Sequence, residues 1–182
     1  MRVLHLVNHL DKGEITDHLL RLMEEQKRAG HHVYVWGAHG NSYLDFMVVS
    51  EEVFETVPHS KSEFSWRLWF ALPGLLSIIK EHSIDLMHAH TRATQVLAQA
   101  ASWWRQVPFI TTAYKMYDRT WGRSLFPCWG KTIIAVSNEV KEDLIHTFPT
   151  RHLSPIEVVP LEPEEQIFES VQKIYENVLK GP

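Results

Sequence analysis

Three segments decide the fold: Ile84-Asp85-Leu86-Met87-His88-Ala89-His90-Thr91-Arg92, Val107-Pro108-Phe109-Ile110-Thr111-Thr112-Ala113-Tyr114, and Ile133-Ile134-Ala135-Val136-Ser137. Each is a short apolar run that ends in small or polar residues, as a buried strand does where it reaches the surface of a sheet. The Ala/Leu-rich stretch from Thr91 to Arg105 between the first two is long enough for a crossover helix. Parallel strands require such crossovers, so the segment reads strand, helix, strand, helix, strand. In open parallel sheets a ligand sits outside the carboxyl ends of the strands, near the point where strand order reverses. His88, His90, Thr111, Thr112 and Ser137 hold those positions and are the first candidates for function.

Towards the amino terminus, Arg2 to Val7 is apolar at almost every position, the pattern of a strand buried on both faces and hence central in the sheet. A turn over Asn8 to Gly13 leads into a helix on which Ile15, Leu19, Leu22 and Met23 recur at helical spacing, and Gly30 stops it. Asp11 and Glu14 have capping-box spacing at its start. Val33 to Trp36 is a second strand, Gly37 to Asn41 a loop and Val53 to Val57 an edge strand. Glu63 to His82 fits helix, with Pro73 either kinking it or opening a second one.

Towards the carboxyl terminus, Asn138 to Phe148 reads as a helix with Asn138 near its N-cap, and Ile156 to Val159 as a last strand. Pro163 then starts a helix with Glu164 and Glu165 at its positive end. Ile167, Phe168, Val171, Ile174, Tyr175, Val178 and Leu179 form one apolar stripe on it, and Lys180-Gly181 close it. A stripe of that width must be buried against the domain or a partner. The expected site is beside the first helix of the same chain, with exchange into an oligomer as the alternative. The division is thus a domain over residues 1–160 and a docked helix over residues 161–182.

The chain has 182 residues, 18 basic against 22 acidic, for a formal net charge of -4. That length suits one well-buried domain, and the charge argues against a nucleic-acid footprint. A single cysteine, Cys128, excludes an internal disulfide and fits a reducing compartment. The opening apolar run ends at Asn8, too early for a signal peptide. Leu68 to Ile79 is interrupted by Pro73-Gly74 and too short to span a bilayer. The expectation is a cytoplasmic protein, at most peripheral to the inner face of a membrane.

From the first residue to Pro160 the sequence resembles the N-terminal half of a GT-B glycosyltransferase of the retaining family 4. The resemblance rests on Met1-Arg2-Val3-Leu4-His5-Leu6-Val7 with the loop Leu10-Asp11-Lys12-Gly13, and on Arg28-Ala29-Gly30-His31 before Val33-Tyr34-Val35. It continues through Ile84 to His90, Val107 to Thr112, and Ile133-Ile134-Ala135-Val136-Ser137-Asn138-Glu139-Val140-Lys141, in the family's order. It implies a single Rossmann-like three-layer α/β/α domain with a mainly parallel sheet of about six or seven strands, a number that agrees with the crossover count. It further implies polysaccharide or glycolipid biosynthesis, with a glycan or lipid acceptor on this half and the nucleotide sugar on a second, donor-binding domain. No such second domain follows Pro160 in these residues. No cofactor is then expected on this chain alone, and a donor-binding glycosyltransferase chain is the implied partner. The alternative is a non-catalytic descendant that uses the old pocket for binding or assembly.

Two positions depart from the family. Its paired glycines of the first loop appear as Gly13-Glu14, and its histidine after the fifth strand's threonines as Tyr114. A carboxylate at Glu14 would repel a diphosphate unless it turned away. The pocket so implied is lined by Asn8, Gly13, His90, Thr112 and Tyr114 at the carboxyl ends of the first, fourth and fifth strands.

His88 and His90 alternate on one strand and share a face, so the pair could hold a metal, line a polar pocket or make structural hydrogen bonds. A metal needs further ligands, and no His-x-x-x-His or Cys-x-x-Cys spacing supplies them, so no metal is assigned. Arg92, Lys115 and Arg119 could gather as an anion site, or be solvated surface. Ser137, Asn138 and Glu139 could meet a sugar hydroxyl, their default being to cap a helix. Nucleophile-elbow, Walker and complete dinucleotide motifs are absent from the sequence. Trp66, Trp69, Phe70, Arg67 and Lys61, and separately Trp103-Trp104-Arg105, could form a peripheral membrane contact. For most of the tryptophans core packing is the expected role.

Overall fold

Strand β1 (Arg2–His9) runs through the middle of the molecule, paired in parallel with β2 (His32–Ala38) on one side and β4 (Leu86–Ala89) on the other. Its apolar run is explained by burial on both faces, with Val3, Leu4 and Leu6 fully buried. The computed structural model describes residues 1–55, 66–118, 122, 126–161 and 165–181. Beyond β2 lies the edge strand β3 (Glu52–Glu55); beyond β4 lie β5 (Phe109–Ala113), β6 (Ile133–Ala135) and β7 (Ile156–Val158). The sheet order is β3-β2-β1-β4-β5-β6-β7 and every pairing is parallel. Strand order therefore reverses between β1 and β4, and the predicted Rossmann-like α/β/α domain is what the chain forms.

Helices cover both faces. On one face α3 (Trp66–Glu81) and α4 (Arg92–Arg105) bury Leu75, Ile79, Leu97 and Ala98 against Leu4, Leu6, Met87 and Phe109. Helix α5 (Asn138–Thr147) continues that layer over β5 and β6 through Val140 and Leu144. On the opposite face α1 (Glu14–Arg28) and α2 (Tyr43–Val49) bury Leu19, Met23 and Phe46 against Val7, Val33 and Val35. Beside α1, α6 (Glu165–Lys180) buries Ile167, Val171, Ile174 and Tyr175 against Val3, Leu86, Ile110 and Ile134.

Local chemistry accounts for most of the boundaries. Helix α1 ends in a Schellman turn: Gly30 takes φ 82°, its N–H donates to the Lys27 carbonyl, and the His31 N–H donates to the Gln26 carbonyl. Helix α4 opens with a reciprocal Thr91–Thr94 capping box. Pro73 sits inside a continuous α3 and opens no second helix; residues 63–65 of that expected helix lie outside the described residues.

Several readings need correction. The Asp11–Glu14 box does not form: Gly13 is the N-cap with no side-chain bond, and the Asp11 carboxylate accepts instead from the Asn41 N–H at 3.3 Å. Ser137 is the N-cap of α5 and Asn138 its first residue, as the capping reading allowed. Helix α2 has no counterpart in the sequence reading. Residues 119–121 and 123–125, where a helix between β5 and β6 is expected, lie outside the described residues; of their described neighbours, the Phe126 N–H donates to the Gly122 carbonyl. Of the described tryptophan side chains, Trp36 and Trp129 are buried, whereas Trp69, Trp103 and Trp104 are exposed. Core packing therefore fails for Trp69, Trp103 and Trp104. Lys61, Pro163, Glu164 and the side chains of Trp66, Arg67 and Glu165 lie outside the described residues.

Candidate functional site

On the sheet face covered by α1 and α6, three neighbouring strands share a pattern. Each has an apolar residue early and polar ones towards its carboxyl end: Val3 then His5 on β1, Leu86 then His88 and His90 along β4, Ile110 then Thr112 and Tyr114 along β5. Cross-strand register sets His5 opposite His88, and His88 opposite Ile110, so the polar residues form one patch under the two helices. Gln26 of α1 and Tyr175 of α6 descend onto it.

Buried polar atoms must find partners, and here they find one another. Tyr114 Oη lies 2.8 Å from His90 Nδ1, and His90 Nε2 lies 3.0 Å from His5 Nδ1. His5 Nε2 is 2.8 Å from Gln26 Oε1, and Gln26 Nε2 donates to Tyr175 Oη at 3.2 Å. Tyr175 Oη is 2.6 Å from His88 Nδ1, and His88 Nε2 is 2.7 Å from Thr112 Oγ1. Thr112 and Tyr114, two residues apart at the end of β5, are thus the two ends of one hydrogen-bonded path. Seven side chains, from three strands, the residues just after them and two helices, form a ring left open between Thr112 and Tyr114, in which only Tyr114 is partly open to solvent.

The ring is uncharged. Burial pushes His5 down to about 4, and drives His88 and His90 well below the ordinary imidazole value, with the other histidines adding to the effect. Burial raises both phenols, Tyr114 and Tyr175. His18, whose ring lies edge-on to Tyr114 at 5.7 Å, is lowered to about 4 by burial and then by Arg21. Such groups neither take up nor release protons near neutrality; they can orient a ligand and exclude water.

His5, His88 and His90 also make up the one group among the described residues whose ligand atoms come close enough for a metal, within 4.8 Å of one another. The third histidine that the sequence did not supply is thus present. All of their ring nitrogens, however, are already engaged by protein hydrogen bonds. The arrangement fits a hydrogen-bonded ring better than a coordination shell.

His88, His90, Thr112 and Tyr114 are therefore brought together, and the sequence reading missed His5, Gln26 and Tyr175. Asn8 is half-buried near the end of β1; Gly13 and Glu14 are exposed at the start of α1. Glu14 and His18 line a cleft of about 840 Å³ between α1 and α6. A second cleft, of about 580 Å³, lies at the amino ends of the strands beside Trp103 and Lys131. Ring residues line neither. Arg92 spends its guanidinium on the carbonyls of Pro127 at 2.7 Å and Phe126 at 2.6 Å, and so braces the chain after β5. Lys115 is exposed, and Arg119 lies outside the described residues. Ser137 accepts from the Val140 N–H at 3.3 Å, and its contact with Glu139 holds that carboxyl below its usual range. Both residues act in the cap.

Residues 15–161 match the family model described as Glycosyltransferase Family 4. The fold is similar to a glycosyltransferase from Rickettsia africae, with TM-score 0.72 and 18% identity over 96% of this chain and 49% of that one. It is also similar to Anabaena Alr3699/HepE in complex with UDP-glucose, with TM-score 0.66 and 15% identity over 88% of this chain and 43% of that one. Sucrose-phosphate synthase from Thermosynechococcus elongatus matches with TM-score 0.60 and 13% identity over 87% of this chain and 47% of that one. The chain thus spans about half the length of these structures. No curated protein matches the sequence.

Proposed function

The chain belongs to glycosyltransferase family 4, and from that membership we propose that it is the acceptor-side half of a two-domain sugar transferase, completed by a donor-binding domain outside these 182 residues. The observation that carries this reading is the position of Asn8, Thr112 and Tyr114. They stand at the carboxyl ends of β1 and β5, on either side of β4, where strand order reverses. The partly open residues there, Tyr114 with its hydroxyl and Asn8 with its amide, are neutral and suit the hydroxyls of a glycan or glycolipid headgroup. Helix α1, with Glu14 and Asp17 in its first turn, is a poor cradle for a diphosphate, consistent with a donor held elsewhere. The exposed Trp69, Phe70, Trp103 and Trp104 give the α3/α4 face a surface that a bilayer carrying a lipid-linked acceptor could engage.

Catalysis requires donor and acceptor in one water-excluding cleft, and a single domain supplies one wall of it. The same exposed carboxylates at α1 favour the second reading, a non-catalytic binding module. The test joins residues 1–160 to the donor-binding half of the Rickettsia africae structure and assays sugar transfer from nucleotide hexoses beside the 182-residue chain. Transfer by the joined protein only supports the reading, transfer by the chain alone overturns it, and failure of both to transfer or to bind a glycoside favours the binding module.

A further inference from the structure

Proton direction around the buried ring is fixed by its one amide, because an amide nitrogen only donates and an amide oxygen only accepts. Gln26 Oε1 faces His5 Nε2, so that nitrogen carries the proton and His5 Nδ1 is left to accept. His90 Nε2 must then be the donor to His5, and His90 Nδ1 accepts from the Tyr114 hydroxyl. In the other direction Gln26 Nε2 donates to Tyr175 Oη, so the Tyr175 proton goes to His88 Nδ1. His88 Nε2–H then donates to Thr112 Oγ1. From Tyr114 to Thr112 every donor meets one acceptor in the same sense. The tautomers are assigned from this network with the Gln26 amide as placed; turning the amide over would reverse all three, so the amide sets them together.

We infer that Gln26 is a positioning residue that locks His5, His88 and His90 as Nε2–H tautomers, and thereby makes the hydroxyl of the half-buried Tyr114 a hydrogen-bond acceptor towards a ligand at the strand ends. The Tyr114 proton is spent inward on His90. What remains on its oxygen is lone-pair density. The group it takes is a donor, such as a sugar hydroxyl, and it disfavours the oxygens of a phosphate or carboxylate. The choice of ligand class rests on the acceptor-side reading; the tautomer lock does not.

The test is long-range ¹H–¹⁵N correlation of the imidazoles in the full chain at neutral pH, which distinguishes the two neutral tautomers directly. The result expected is Nε2–H at His5, His88 and His90. An Nδ1–H tautomer or an imidazolium at any of the three overturns the lock, as does a shift of all three on adding Zn²⁺, which would mark a metal site. Gln26→Glu gives an independent check. Its carboxylate accepts from both sides, so the Tyr175 proton turns to residue 26 and His88 should switch to Nδ1–H while His5 stays Nε2–H. A folded Gln26→Glu chain with His88 unchanged also counts against the lock.

The ligand arm uses methyl α-glucopyranoside against inorganic phosphate. The expectation is glycoside-induced shifts at Tyr114 and about three- to tenfold weaker glycoside binding in Tyr114→Phe, the span of one hydrogen bond. Phosphate bound at Tyr114 would overturn the acceptor polarity. With the three tautomers in place and no glycoside bound, the ligand-class inference fails with the acceptor-side reading, while the lock stands.

Discussion

Tyr175 places one hydroxyl between Gln26 Nε2 at 3.2 Å and His88 Nδ1 at 2.6 Å, deep beneath α6. Removing it leaves two buried polar atoms without partners, and each such loss costs about 1–3 kcal/mol. Tyr175→Phe should therefore lower unfolding stability in a urea titration by about 2 kcal/mol or more, and a loss below about 0.5 kcal/mol would contradict a connected ring. The ring also sets an acid limit. His5 and His18 stay neutral in the folded chain down to about 4, and His88 and His90 are lowered too, from an ordinary value of 6.5. Below that ordinary value the unfolded chain binds protons that the folded chain refuses, so the contribution of these histidines is flat above neutrality and stability falls as pH drops from 6.5 towards 4. Each such histidine steepens the fall by about 1.4 kcal/mol per pH unit. Thermal melts at stepped pH should show this, and a melting temperature constant between neutrality and mild acid would refute it. At this scale the sequence was half legible. His88 and His90 declare a shared face by their spacing, but His5, Gln26 and Tyr175 are separated from their partners by 21 to 149 residues, and no local pattern joins them. One signal was available: a histidine inside the otherwise apolar β1, and a tyrosine on an apolar helix stripe, each need a buried partner.

Helix α6 is held by packing rather than by local signals. Ile174 and Val171 are buried among Val3, Leu86 and Ile134, so Ile174→Ala should cost about 2–4 kcal/mol by loss of transfer energy and creation of a cavity. Phe168 sits only partly buried at the rim, where its change to alanine should cost less. A chemical-denaturation series that reversed this order would show α6 to be seated differently. Gly130 is the element-level constraint on the entry to β6. With φ 79° and a Cβ that would strike the Phe109 carbonyl, Gly130→Ala should destabilise by more than the usual glycine penalty, and an unchanged midpoint would count against the register. The apolar runs and glycine stops that mark β1, α1, β4 and α4 were readable because the forces acting there are local or periodic. Helix α2 was not, since one buried residue, Phe46, anchors it and no period develops over so short a span. The Asp11–Glu14 box failed because a tertiary partner, the Asn41 N–H, took the Asp11 carboxylate.

Over the whole molecule, the parallel order β3-β2-β1-β4-β5-β6-β7 follows from alternating strands and crossover helices, and that alternation is visible in the chain itself. For the proposed site, the sequence showed which strand ends lie together around the reversal but not their chemistry, because the neutral polarity there arises from the hydrogen bonds beneath. Among the described residues no helix is long and apolar enough to cross a membrane. The central claim is that this domain presents an acceptor surface at those strand ends and holds no donor by itself. Backbone amide shifts of the ¹⁵N-labelled chain, recorded in separate titrations with methyl α-glucopyranoside and with UDP-glucose, test it most directly. The account predicts glycoside-induced shifts clustered at Asn8, Thr112 and Tyr114, with UDP-glucose neither shifting those residues nor being consumed. Saturable UDP-glucose binding at the same residues, or glycoside shifts confined to the cleft beside Trp103 and Lys131, would contradict it.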